Sequence, residues 1–148
     1  MDLKILNVSN NALPEYKTKD SSGLDLRAYL PDGPLTLQPG QRRVIPTGLY
    51  MEIEPGYEGQ VRPRSGRAVK QGLTVINSPG TIDADYRGEV GVPLINLSTE
   101  PQTIENGDRI AQIVFSAYAK AEITEVGAIE ELSDTERGAG GFGHTGKK

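Results

Sequence analysis

A chain of 148 residues is long enough to bury one packed core, and its lack of cysteine excludes a disulfide framework and a thiolate zinc site. A single histidine, His144, excludes a multi-histidine metal centre within one chain. The net charge of −4 and pI near 5.1, without a long basic run, argue against wrapping a nucleic-acid backbone; room remains for a small phosphorylated ligand gripped by a few arginines. No run is apolar enough for a membrane span, and the N-terminus lacks the zones of a signal peptide, so a soluble cytoplasmic protein is expected. A Ser-His-Asp triad would have to take its base from His144, in a glycine-rich tail. The expected general base is therefore Asp or Glu, and the expected metal is a hard cation on carboxylates, phosphates and waters, which favours magnesium.

In chain order, residues 3–8 read as a short opening strand, and residues 10–19, with Pro14, as loop. In residues 21–28 the alternation places Leu24, Leu26 and Ala28 on one face and Asp25 and Arg27 on the other. A carboxylate there is either simply solvated or part of a site. Leu35 to Leu37, Val44-Ile45 and Leu49 to Ile53 read as strands separated by Pro/Gly turns. Strands about every ten residues, punctuated by glycine and proline, predict an all-β sandwich or barrel.

Residues 59–62 form a strand running into Pro63-Arg64-Ser65-Gly66, and Ser65 to Gln71 is the one short core helix expected, closed by Gly72. Ser65 near its start is either a plain N-cap or, beside Arg64, part of a phosphate site. The stretch Gly80-Thr81-Ile82-Asp83-Ala84-Asp85-Tyr86-Arg87-Gly88-Glu89 lies between apolar runs at 73–76 and 90–97, the layout of a loop joining two strands. Two carboxylates, a tyrosine and an arginine in ten residues suit either a solvated turn or a catalytic loop.

Gln102 to Ile104 is a short strand, Asn106-Gly107-Asp108 a hairpin-turn signal, and Arg109 to Phe115 a strand. Within it Ile110 and Gln112 share one face, Arg109, Ala111 and Ile113 the other; a structural hydrogen bond explains Arg109 as well as a ligand does. Residues 122–126 read as a last strand. Residues 137–146 then hold five glycines around Arg137 and Phe142. That composition cannot pack a core and suits a lid: amides for phosphate, a guanidinium for charge, a ring to stack on a base.

Taken in order, residues 22–26, 63–66, 80–89, 109–113 and 137–146 resemble the five motifs of the homotrimeric dUTPases (dUTP diphosphatases), over nearly the whole chain. The resemblance implies a β-barrel or jelly-roll-like (β-clip) subunit over residues 1–130. It adds a flexible glycine-rich arm, 131–148, that closes over a neighbouring active site of a homotrimer whose sites are shared by all three chains. The implied reaction hydrolyses dUTP to dUMP and pyrophosphate, with magnesium on the triphosphate and water attacking the α-phosphorus, keeping uracil out of DNA and supplying dUMP for thymidylate synthesis. No nucleic-acid or membrane partner is implied.

By position, Asp83 looks like the carboxylate that orients and deprotonates the water. Asn77, with the backbone near it at Gly80 and Ile82, resembles the uracil-reading elements, and Tyr86 the tyrosine that packs on the deoxyribose. Arg64, Ser65, Gly66 and Gln112 resemble triphosphate contacts, and Asp25 the acidic residue that holds magnesium through water. Phe142 would cover the uracil and Arg137 would engage the terminal phosphate, with Gly143 and Thr145 assisting. His144 stands where the family commonly has serine, and Ser22 where it more usually has alanine. The dCTP deaminases share the fold and the trimer, but the tyrosine in 80–89 and the phenylalanine-bearing tail favour the dUTPases; the intact Asp83 speaks against a non-catalytic nucleotide-binding trimer.

Overall fold

Period-two alternation and turn residues set the elements. A computed structural model describes residues 1–141. Its strands are β1 (Leu3–Asn7), β2 (Gly23–Arg27), β3 (Leu35–Leu37), β4 (Arg42–Ile45), β5 (Leu49–Ile53), β6 (Tyr57–Arg62), β7 (Leu73–Val75), β8 (Gly80–Ile82), β9 (Val92–Asn96), β10 (Gln102–Ile104) and β11 (Arg109–Ala117). Among the described residues the one α-helix is α1 (Ser65–Gln71), and a 3-10 turn spans Ile129–Glu131. An all-β fold with one short helix is therefore what forms.

Pairing is antiparallel throughout, in four sheets ordered β2-β11-β6-β8, β4-β9-β7, β1-β5 and β3-β10. The sheets enclose one apolar core, in which Leu26, Leu37, Ile45, Leu94, Ile104 and Ile113 have no exposed surface. They do not join into a closed barrel, so of the two expected architectures the barrel is not what forms. The alternation in β2 puts Leu24, Leu26 and Ala28 in the core and leaves Asp25 half-buried on the other side.

Four expectations about strands and their pairing change. The stretch 80–89 is not all loop, because its first three residues form β8 on the edge of a different sheet from its flanking strands, β7 and β9. The Asn106-Gly107 turn does not join a hairpin: β10 pairs with β3, and β11 pairs with β2 and β6. In β11 the register slips between Arg109 and Ala111, a bulge that lets Ile110 and Ala111 both be buried and breaks the expected two-face alternation. Residues 122–126 form no strand among the described residues, and Ile123 is 92% exposed; periodicity alone cannot supply a ladder partner.

Helix α1 has the predicted bounds. Gly72 ends it at φ +64°, ψ 11°, and its N–H donates to Ala68 O at 3.2 Å. Glycine is required there twice over, by the left-handed backbone and because a Cβ would stand 2.7 Å from the Ser98 backbone nitrogen. Gly72→Ala should destabilise the protein by about 1–3 kcal/mol, read from chemical denaturation midpoints. The N-cap residue is Arg64 rather than Ser65, and it makes no side-chain capping bond. Ser65 is instead the first helical residue, and it is exposed.

Candidate active site

Three of the five motif segments meet around Asp25. β2 presents its carboxylate, 16% exposed, to two guanidiniums from different elements. Arg64 Nε donates to Asp25 Oδ1 at 2.7 Å, and Arg109 Nη1 donates to Oδ2 at 3.1 Å. One anion thus holds two cations side by side, leaving one net positive charge on a partly exposed face, a setting that favours a polyanion. The β11 bulge falls between Arg109, paired with Arg27, and Ala111, next to the residue whose side chain reaches Asp25.

Gln112, opposite Asp25 in the β2–β11 register, donates from Nε2 to Pro63 O at 2.9 Å, so the chain is braced just before Arg64. Its Oε1 lies where a Cβ on residue 23 would come within 2.4 Å, so a side chain there would have to displace the Gln112 amide. Beside Arg64, Ser65 and Gly66 are exposed, and a Cβ on Gly66 would meet nothing within 4 Å. This end of α1 is open to a ligand.

The segment 80–89 lies elsewhere. Gly80 is buried opposite Val61, and Ile82 pairs with Gly59 and packs on the core. Asn77 is exposed, with Nδ2 3.0 Å from where a Gly80 Cβ would stand. After β8 the chain turns, Tyr86 N donating to Asp83 O at 3.1 Å, and Asp83 is left exposed. Tyr86 folds back over Gly88, its Oη donating to Glu89 O at 3.1 Å. The end of the loop is pinned by Gly48 N donating to Glu89 Oε1 at 2.6 Å and by the buried Thr47 hydroxyl donating to Val90 O at 2.6 Å.

Asp83, Ala84, Asp85 and Arg87 line an open cleft of about 820 Å³ together with Lys4, Glu52, Glu54 and Tyr118. A hydrogen bond from Lys4 at 2.7 Å, and its charge, hold the exposed Glu52 carboxyl below the usual range. The cleft contains none of Asp25, Arg64 or Gln112, so it is only part of any site that uses them.

The separation follows from the sheet. β2 and β8 are its two edges, three strand steps apart, or about 14 Å. Asp25 and Arg62 both face Gln112, while Asp83 follows Ile82, the partner of Gly59; that adds about 13 Å along the strands. Within one chain, Asp83 and the Asp25 cluster are not neighbours.

Of the tail residues, Arg137 is exposed and its Nε donates to Gly140 O at 2.7 Å. Phe142, Gly143, His144 and Thr145 lie outside the described residues. No group of three or more potential metal-binding side chains occurs among the described residues, and no helix there is long and apolar enough to cross a membrane. Reading the sequence missed Arg67, Asp108, Glu89 and Gly23 as parts of this architecture. The available signal for Arg67 was its position three residues after Arg64, one helical turn along the same face.

A sequence model of the dUTPase family matches residues 9–146. The chain is 54% identical over 146 residues to a deoxyuridine 5'-triphosphate nucleotidohydrolase of Finegoldia magna, covering 99% of each chain. It is 57% identical over 145 residues to the protein of the same name from Cytophaga hutchinsonii, covering 98% of this chain and 92% of that one. Among solved structures, the dUTPase of Staphylococcus bacteriophage 80alpha with dUpNHpp superposes with a TM-score of 0.86 at 28% identity, covering 98% of both chains. A mutant dUTPase from phage phi11 of S. aureus, described as coordinating a structural Mg(II) ion, shares the fold at a TM-score of 0.78 and 24% identity. On this evidence the chain belongs to the dUTPase family.

Proposed function

We propose that the protein hydrolyses dUTP to dUMP and pyrophosphate by attack of water on the α-phosphorus. The observation that carries this reading is the match over nearly the whole chain to relatives named for that reaction. Arg64, Ser65, Gly66 and Gln112 grip the triphosphate, where phosphoryl transfer depends chiefly on positioning and charge stabilisation. Gln112 spends one amide hydrogen on Pro63 O and keeps the other for the ligand. Asp83 orients the water and takes its proton. Asn77, Gly80 and Ile82 frame the uracil, and Tyr86 stands against the sugar.

A base must lie within hydrogen-bond reach of its water, which the separation of Asp83 from the Asp25 cluster within one chain does not allow. The reading therefore includes a homotrimer in which Asp83 of one chain faces the grip of another. Residues 131–148, with Arg137, Phe142, Gly143 and Thr145, form the arm that covers a neighbouring site, and residues 1–130 form the β domain. Magnesium, when bound, neutralises charge on the triphosphate. The side chains present suit that mode: Asp25 is a lone carboxylate whose oxygens retain acceptor capacity for metal-bound waters beside its two arginines, with phosphates supplying the remaining ligands.

The test is pyrophosphate release from dUTP, UTP, dTTP and dCTP, with magnesium and with chelator. Release from dUTP alone, lost on chelation, is expected. Ammonia release from dCTP without dUTP hydrolysis, or dUTP binding without release, would sink the reading.

Gly88 offers a test of the sugar gate. A Cβ there would stand 2.3 Å from Tyr86 Oη, so Gly88→Ala must displace the ring. Selectivity for dUTP over UTP, as a ratio of kcat/KM, should fall by about tenfold.

A further inference from the structure

We propose that Arg67 is a positioning residue that locks the phosphate grip in shape, an inference that rests on the reading of the Asp25 cluster as that grip. Its side chain is 14% exposed, against 27% for Arg64 and 43% for Arg109, so it is the most enclosed of the three arginines. Each nitrogen of its guanidinium has a partner within the protein. Nε donates to Arg109 O at 2.8 Å, Nη2 meets Asp108 Oδ2 at 2.8 Å, and Nη1 reaches Gln71 Oε1 at 3.3 Å. Three of its five N–H donors are thereby spent on the protein.

What it joins matters more than what it binds. Arg67 stands in the first turn of α1, and its N–H donates to Arg64 O at 3.1 Å. Asp108 closes the turn before β11, accepting from Glu105 N at 3.1 Å on the same Oδ2 that Arg67 meets. The β2–β11 register slips between Arg109, which pairs with Arg27, and Ala111, so regular pairing is interrupted just after the residue whose side chain must reach Asp25. One side chain therefore ties the helix carrying Ser65 and Gly66 to the strand carrying Arg109. Gln112 already braces Pro63, just before Arg64, and Arg67 adds the second tie, on the Arg109 side of the grip.

Positioning within a binding grip affects the bound substrate and the transition state alike, so the loss should fall on KM. In Arg67→Met, KM for dUTP should rise about tenfold with kcat little changed. Affinity for dUpNHpp should drop much more than affinity for dUMP, a pattern that general destabilisation does not produce. Arg67→Lys keeps the charge but not the planar fork and should fall between. Asp108→Asn should weaken dUpNHpp binding in the same direction, and combined with Arg67→Met should be less than additive.

Wild-type protein in the same assay separates the two ideas. If it releases no pyrophosphate from dUTP, the functional reading fails. If it turns over normally and Arg67→Met shows wild-type KM and dUpNHpp affinity, the role given to Arg67 is overturned. Should the Met variant fail to fold, the Lys variant decides: raised KM at unchanged kcat supports the role, and a wild-type KM overturns it.

Discussion

Asp83→Asn is expected to bind dUpNHpp with near-wild-type affinity while pyrophosphate release falls by about a hundred- to ten-thousand-fold, the range typical of losing a general base. The substitution is close to isosteric, and the site is permissive. Asp83 is exposed, and among the described residues its carboxylate has no hydrogen-bond or ion-pair partner to lose. Its backbone carbonyl, which accepts from Tyr86 N, is untouched, so the turn should survive. The amide cannot take the water's proton. Calorimetric titration with dUpNHpp beside single-turnover hydrolysis separates binding from chemistry. Near-normal turnover would refute the role of Asp83, and loss of binding in parallel with rate would assign it to substrate recognition instead.

Truncation before Arg137 is the second large effect. Among the described residues the last strand ends at Ala117, and residues 131–139 are all exposed, outside the core. The melting temperature and assembly state should therefore be unchanged. The deletion nevertheless removes a guanidinium, an aromatic ring and a series of glycine amides proposed to close over the nucleotide. Losing even one preorganised charge-stabilising donor costs about a hundredfold or more in comparable sites, so kcat/KM should drop at least that far. A rate like that of the full chain would show that residues 137–148 take no part in catalysis.

Both predictions began in residues legible without coordinates. The bounds of α1 could be read because Gly72 must end it, and β2 because Leu24, Leu26 and Ala28 alternate with Asp25 and Arg27. Such signals are local: they depend on backbone sterics and on a period that any short window reveals. The place of Arg67 on the helix face of Arg64 was legible but its role was not, because its partners Asp108 and Arg109 lie some forty residues away. Residues 122–126 misled for the same reason, since an apolar alternation says nothing about whether a neighbouring strand exists. The Asn106-Gly107 turn misled by implying that the strands around it pair with each other.

By itself, then, the sequence determined the all-β character, the single short helix and the five motif segments in order. Those properties follow from residue chemistry and short-range geometry. Only the tertiary structure decided that β8 joins β6, that Asp25 gathers Arg64 and Arg109, and that Asp83 lies across the sheet from them. Strand partners are chosen by the shared burial of side chains far apart in the chain, and that competition is settled when the core closes.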